Sequence, residues 1–301
     1  MASAPAPTPA RQLKLADPYV MYHDGLYYAY GTGHSNGIAV ATSRDLKTWT
    51  VGEGRAKEGV ALHRDDSYGE INFWAPEVYR IGKKFIMYYS AHSRICAAES
   101  DHPLGPFKQA EKKPIVDVST IDNSLFIDDD GRAWMVYVVF DGRCIIWISE
   151  MEKDYLHAKP GTQRMIIRPD LPWEGKIVTE GPFIIKVGKT YVLSYSANDY
   201  RDAKYAVGYA TTDNLESNWK KYDGNPILCK KWGLSGTGHH SLFKDKDNRW
   251  KIAFHAHSSA TKIHPRCTYI ADLNIDSSGE IPRLSIGEEL ITCTIAPEKR
   301  K

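Results

Sequence analysis

Apolar residues along this chain fall in short, strand-length runs broken by polar turns, and no window carries a convincing helical period. Five runs head a repeated unit: Asp17-Pro-Tyr-Val-Met, Ala75-Pro-Glu-Val-Tyr, Asp122-Asn-Ser-Leu-Phe, Glu180-Gly-Pro-Phe-Ile and His239-His-Ser-Leu-Phe. Their first residues stand 58, 47, 58 and 59 positions apart, a spacing suited to propeller blades rather than helical repeats. Each run reaches a turn residue at a similar interval, at Gly25, Gly82, Gly131, Gly188 and Asn248, residues that tolerate the positive φ of tight hairpins. A second, aromatic-rich strand follows every turn, as in Leu26-Tyr-Tyr-Ala-Tyr and Tyr191-Val-Leu-Ser-Tyr. A third follows in turn, as in Gly37-Ile-Ala-Val-Ala-Thr and Ala206-Val-Gly-Tyr-Ala-Thr. Polar stretches such as Ser43 to Trp49, Asp101 to Phe107 and Asp213 to Trp219 read as the outer edge of a blade. The pattern predicts an all-β, five-bladed β-propeller, with a two-layered β-sandwich as the weaker alternative.

The repeat spans nearly all of the 301 residues, which makes residues 13–298 one domain behind a disordered leader of residues 1–12. Met1 to Pro9, rich in Ala and Pro, lacks the apolar segment of a secretory signal. The compartment therefore stays open: secreted or periplasmic if a signal has been removed, cytoplasmic otherwise. No stretch is apolar enough for a membrane span, and a net charge of +2 predicts no attraction to nucleic acid. Five cysteines without metal-type spacing argue against a disulfide framework. Cys96, Cys144 and Cys267 sit in related strands and are expected as buried free thiols.

Opening strands line the axis of a propeller, so the five heading side chains should meet there. Asp17, Asp122 and Glu180 fill that slot in three blades, Ala75 and His239 in the other two. A single acid at a strand start is most often a turn former. Three converging carboxylates without function would repel one another and lose solvation, which makes chance the poorer account. Acids gathered at one point suit glycosidic bond cleavage, where one carboxylate activates water and one carboxylic acid protonates the leaving oxygen.

Asp17-Pro-Tyr, Phe73-Trp-Ala-Pro-Glu-Val, Ile121-Asp-Asn-Ser-Leu-Phe-Ile-Asp-Asp-Asp-Gly, Thr179-Glu-Gly-Pro and Gly236-Thr-Gly-His, taken in order, resemble the blade motifs of glycoside hydrolase family 43. The resemblance runs from about Leu15 to Asp272. It implies an inverting propeller enzyme acting on arabinofuranosides or xylosides of plant cell-wall oligosaccharides or polysaccharides. It also implies Asp17 as general base, Glu180 as general acid and Asp122 as the group that tunes and orients the acid. Exo-acting release of α-L-arabinofuranose is the leading expectation, with β-xylosidase or arabinanase activity as alternatives. A carbohydrate-binding propeller without catalysis is the rival of another class. The Asn-Asp-Pro-Asn and Arg-Asp-Pro signatures of a related fructan-processing clan are missing, which disfavours sucrose and fructan.

Further assignments come partly from the resemblance, for His239 and Arg266, and partly from position along the strands. His239 would reach a hydrated Ca2+ in the central channel, with water completing the shell. Its neighbour His240 should point the other way and be structural. Phe73 and Trp74, just ahead of the second opener, are placed as substrate-contacting aromatics. Arg266 resembles a family arginine near the acids, and would hold Asp122 ionised. The loop from Asn198 to Asp202 should border the pocket, whereas Glu77 and Asp128, Asp129 and Asp130 read as rim and turn residues.

Overall fold

The computed structural model describes residues 10–297, so Met1 to Pro9 of the expected leader and position 298 of the expected domain lie outside the described residues. Strand after strand forms where alternating apolar and β-branched residues are flanked by turn formers, and the strands group into five sheets, antiparallel except where the final strand joins the first sheet. Blade one holds β1 (Ala16–His23), β2 (Leu26–His34), β3 (Gly37–Ser43), β4 (Thr48–Val51) and the short β5 (Leu62–His63). Blade two is β6 (Trp74–Ile81), β7 (Lys84–Ala91) and β8 (Arg94–Ser100). Blade three is β9 (Thr120–Ile127), β10 (Ala133–Phe140), β11 (Cys144–Glu150) and β12 (Arg164–Ile167). Blade four is β13 (Thr179–Val187), β14 (Thr190–Ala197), β15 (Ala206–Thr212) and β16 (Lys220–Lys221). Blade five is β17 (Gly238–Lys244), β18 (Trp250–Ala256), β19 (Cys267–Asp276) and β20 (Arg283–Thr292).

The opening strands touch in cyclic order, β1 to β6 to β9 to β13 to β17 and back to β1, which closes the expected propeller. Apolar faces of neighbouring blades pack on one another, with Ile184, Leu193 and Tyr195 of blade four meeting Val136, Val138 and Ile146 of blade three. Cys96, Cys144 and Cys267 are buried free thiols, as their strands predict. The first and last of the described segments meet at one seam of the ring. A final strand, β21 (Thr294–Ile295), pairs in parallel with β4, and Leu13 N–H donates to Cys293 O at 2.9 Å. Arg11 and Gln12, expected within the leader, belong to this seam: Ile295 N–H donates to Arg11 O at 2.7 Å, and Gln12 bridges Thr294.

Every opening strand carries a register break at its head. The residue at the break has a left-handed backbone: φ is 50° at Asp17, 44° at Ala75, 56° at Asp122, 55° at Gly181 and 42° at His239. Such a bulge frees the backbone N–H of that residue from its own ladder. The preceding blade accepts it. Thr32 Oγ1 receives Ala75 N–H at 3.0 Å, Ser90 Oγ receives Asp122 N–H at 3.1 Å, and Ser196 Oγ receives His239 N–H at 2.8 Å. His255 Nδ1 completes the pattern with Asp17 N–H at 3.1 Å. In blade three the equivalent position of the second strand is Val138, which offers no acceptor. There the Asp122 carboxylate takes over, accepting Gly181 N–H through Oδ2 at 3.2 Å.

Candidate active site

The bulges revise the expected slot. Gly181, not Glu180, matches Asp17, Ala75, Asp122 and His239 in backbone conformation, so Glu180 stands one residue earlier. Its true counterparts are Ala16, Trp74, Ile121 and Gly238. Side chains alternate along a strand, and this one-residue offset sends Glu180 to a different level from the other two acids. Ala16, Trp74, Ile121 and Glu180 line an open cavity of about 510 Å3, within the usual size of small-molecule sites. Asp17, Asp122 and His239 form its floor, and also top the narrow axial channel below.

Asp17 is the most heavily held group of the floor. Arg266 donates to its Oδ1 at 2.8 Å and Thr32 to its Oδ2 at 2.6 Å, with His255 Nδ1 and His239 Nδ1 at 3.2 and 3.3 Å from Oδ1. Burial alone would raise its pKa, but the Arg266 guanidinium, followed by the histidines, outweighs burial and holds the carboxyl well below its usual range. Asp17 is a carboxylate at neutral pH.

Glu180 shows the opposite behaviour. Burial pushes its pKa up to about 7 and the Asp17 charge adds to that, against an opposing hydrogen bond that Tyr205 donates to Oε1 at 2.8 Å. Asp122 is likewise raised well above its ordinary value, by burial first and then by Glu180 and Asp17. This corrects the expectation for Arg266, whose ion pair is with Asp17. Its field at Asp122 is too weak to keep that group ionised.

The remaining assignments divide. Trp74 is half-buried on the cavity wall, as expected. Phe73 is not a substrate contact: it is 2% exposed and stacked on Tyr89 at 6.4 Å in the core, because consecutive residues point to opposite faces. Tyr200 brings the predicted loop to the cavity and lies under the Arg266 guanidinium at 4.5 Å. His240 is structural, turned away to Ser194 Oγ at 2.7 Å. Glu77 is the clearest departure from expectation. It faces the axial channel, two residues beyond Ala75 on the same side, and burial raises its pKa to about 8 while Tyr79 donates to it. Asp128 does lie beside the β9–β10 turn, where it pairs with Lys186 at 2.6 Å across the seam between blades three and four.

His239 Nδ1 also lies 3.9 Å from Asp122 Oδ2, and Asp122, Glu180 and His239 each offer a ligand atom within 4.8 Å of the others. For calcium this set is partial, two carboxyl oxygens and an imidazole nitrogen against the six to eight oxygens preferred, so it fits only a hydrated ion. Sequence reading missed Thr32, Tyr205 and His255. Thr32 and His255 pair across the hairpin with Ala16 and Gly238, so counting back from the turns locates them. Tyr205 precedes β15 in a loop, and no periodic signal marks it.

An ionised and a neutral carboxyl group at one cavity are the pair that acid–base hydrolysis of a glycosidic bond requires. Residues 6–281 match the sequence profile described as Glycosyl hydrolases family 43, and the chain belongs to that family. An extracellular exo-alpha-(1->5)-L-arabinofuranosidase from Streptomyces chartreusis is 29% identical over 84% of this chain and 84% of its own length. A beta-xylosidase from Bacillus subtilis is 24% identical over 76% of this chain and 44% of its own. A crystal structure described as an endo-1,4-beta-xylanase from Bacteroides thetaiotaomicron VPI-5482 superposes with a TM-score of 0.90 at 42% identity, covering 96% of this chain and 99% of that one. Among the described residues no helix is long and apolar enough to cross a membrane.

Proposed function

We propose that the protein is an inverting glycosidase that releases a terminal pentose, foremost α-L-arabinofuranose, from a plant cell-wall oligosaccharide or polysaccharide. The observation that carries the hydrolytic part of this reading is the split protonation of the cavity, with Asp17 held as a carboxylate by Arg266 and Glu180 raised to about 7, while the arabinose part rests on the 29% identical exo-alpha-(1->5)-L-arabinofuranosidase. Asp17 takes a proton from water as the water oxygen bonds to the anomeric carbon. The glycosidic C–O bond breaks, and Glu180 gives its proton to the departing oxygen. Asp122 steadies the acid through the Gly181 N–H and through its own charge state. Both Asp17 oxygens are engaged, by Arg266 and Thr32, which favours proton abstraction over direct attack on carbon. Trp74 supplies a ring for the sugar face. A hydrated calcium ion held through His239 would supply positive charge beside the floor carboxyl groups.

A second reading is a xylose-directed enzyme. The 42% identical structure described as an endo-1,4-beta-xylanase favours it, as does the beta-xylosidase relative. Hydrolysis of aryl α-L-arabinofuranosides and aryl β-xylosides separates the two, with proton NMR reading the anomer formed first. Faster release of arabinose with inverted configuration is expected. A xyloside preference would install the second reading, retention would remove the single-displacement scheme, and no release from either glycoside would refute both.

A further inference from the structure

We infer that Tyr205 and His255 form a positioning plate that holds the acid and the base in register and leaves the Glu180 proton on Oε2. The inference deepens the glycosidase reading and rests on it for the roles of Asp17 and Glu180. Both residues are fully buried, and their rings stack at 5.7 Å with an interplanar angle of 12°. Their polar atoms reach different reactive groups. Tyr205 O–H donates to Glu180 Oε1 at 2.8 Å, while His255 Nδ1 lies 3.1 Å from the Asp17 backbone N–H and 3.2 Å from Asp17 Oδ1. One stacked pair thus spans blades four and five and holds the Glu180 carboxyl group at one end and the Asp17 backbone at the other.

Room for the plate comes from the repeat itself. At the level where other blades project Trp74, Ile121 and Glu180, blade five has Gly238, and a Cβ there would come within 2.4 Å of the Tyr205 ring. The phenol fills the place that a fifth wall side chain would take.

The chemical consequence concerns the acid. With Oε1 accepting the phenol proton, the carboxyl proton belongs on Oε2, and Oε2 is the oxygen that donates to the leaving group. When that proton departs, the bond from Tyr205 becomes charge-assisted and strengthens. The phenol therefore favours the ionised product of proton transfer and opposes the effect of burial on Glu180. His255 acts on the other partner, anchoring the Asp17 backbone by accepting its N–H at Nδ1.

Tyr205→Phe tests this directly, since it keeps the ring and the stack and removes only the hydroxyl. Turnover of glycosides with poor leaving groups should fall roughly tenfold, while good leaving groups, which need little protonation, lose far less. Independently of activity, a crystal structure of the variant should show the Glu180 carboxyl group displaced from the place it holds beside Tyr205. His255→Phe, which keeps a ring in the stack and removes the acceptor for the Asp17 N–H, should lower turnover alike on both classes of leaving group, because it loosens the base and not the acid. Equal losses on both classes in Tyr205→Phe would reduce the plate to filler and overturn the inference. Should the wild type release no pentose from any glycoside, the catalytic reading fails, and a Glu180 carboxyl group unmoved in the Tyr205→Phe structure would still overturn the plate.

Discussion

Glu77→Gln isolates the cost of a buried acid on the propeller axis. Burial raises the Glu77 pKa from 4.5 to about 8. The folded protein therefore keeps this proton across a pH range in which the unfolded chain has lost it. Below about pH 4.5 both states are protonated and the group contributes no slope; as pH rises to about 8, stability falls, and above that the loss is complete. At about 1.36 kcal/mol per pH unit the full interval corresponds to roughly 5 kcal/mol. Water reaching the channel would lower the figure, so a difference of about 2 kcal/mol is the smallest that fits. Glutamine keeps the shape and an acceptor for Tyr79 but has no proton to lose. Urea unfolding of both proteins at pH 5 and pH 9 reads the effect. Their difference removes the slopes of the same sign that Asp122 and Glu180 contribute, since those groups are raised in both proteins. The variant should gain on the wild type at pH 9. Parallel stability at the two pH values, or a variant that loses ground at pH 9, would refute the reasoning.

Other outcomes are equally specific. Glu180→Ala should abolish hydrolysis of natural substrates yet spare much of the activity on good leaving groups; equal losses would remove Glu180 from the donor role. Trp74→Ala should raise KM with little change in stability, whereas Phe73→Ala should cost about 3–5 kcal/mol through the cavity left beside Tyr89. A matching KM rise without destabilisation in the Phe73 variant would return that ring to the substrate. If hydrated calcium occupies the channel, chelation should lower Tm and added calcium restore it, and a Tm indifferent to both would discard the ion.

The blade count and the convergence of the acids were legible because they depend on strand periodicity and turn chemistry, which are local. Asp17 and Asp122 were placed correctly for that reason. Glu180 was misplaced by one residue, since a bulge leaves no composition of its own. The signal that would have caught it is the proline after Asp17, Ala75 and Gly181 alike. Glu77 was legible too, because alternation puts it on the same side as Ala75, but its charge argued falsely for the rim. Arg266 was assigned to the wrong carboxylate, as partner choice among clustered acids is set by distances that arise only when blade five closes against blade one. Tyr205 was beyond reach, because nothing in a loop sequence states which blade its ring will enter.

Asp122 also serves as mortar. Where β10 presents Val138 instead of a hydroxyl or imidazole, this acid spans the joint to blade four, so one side chain answers for masonry and reaction together. An inactive Asp122→Ala protein would by itself leave those two duties tangled. Supplying the missing hydroxyl with Val138→Thr in the same chain would relieve the carboxylate of its structural share, and whatever deficit persisted would belong to the chemistry.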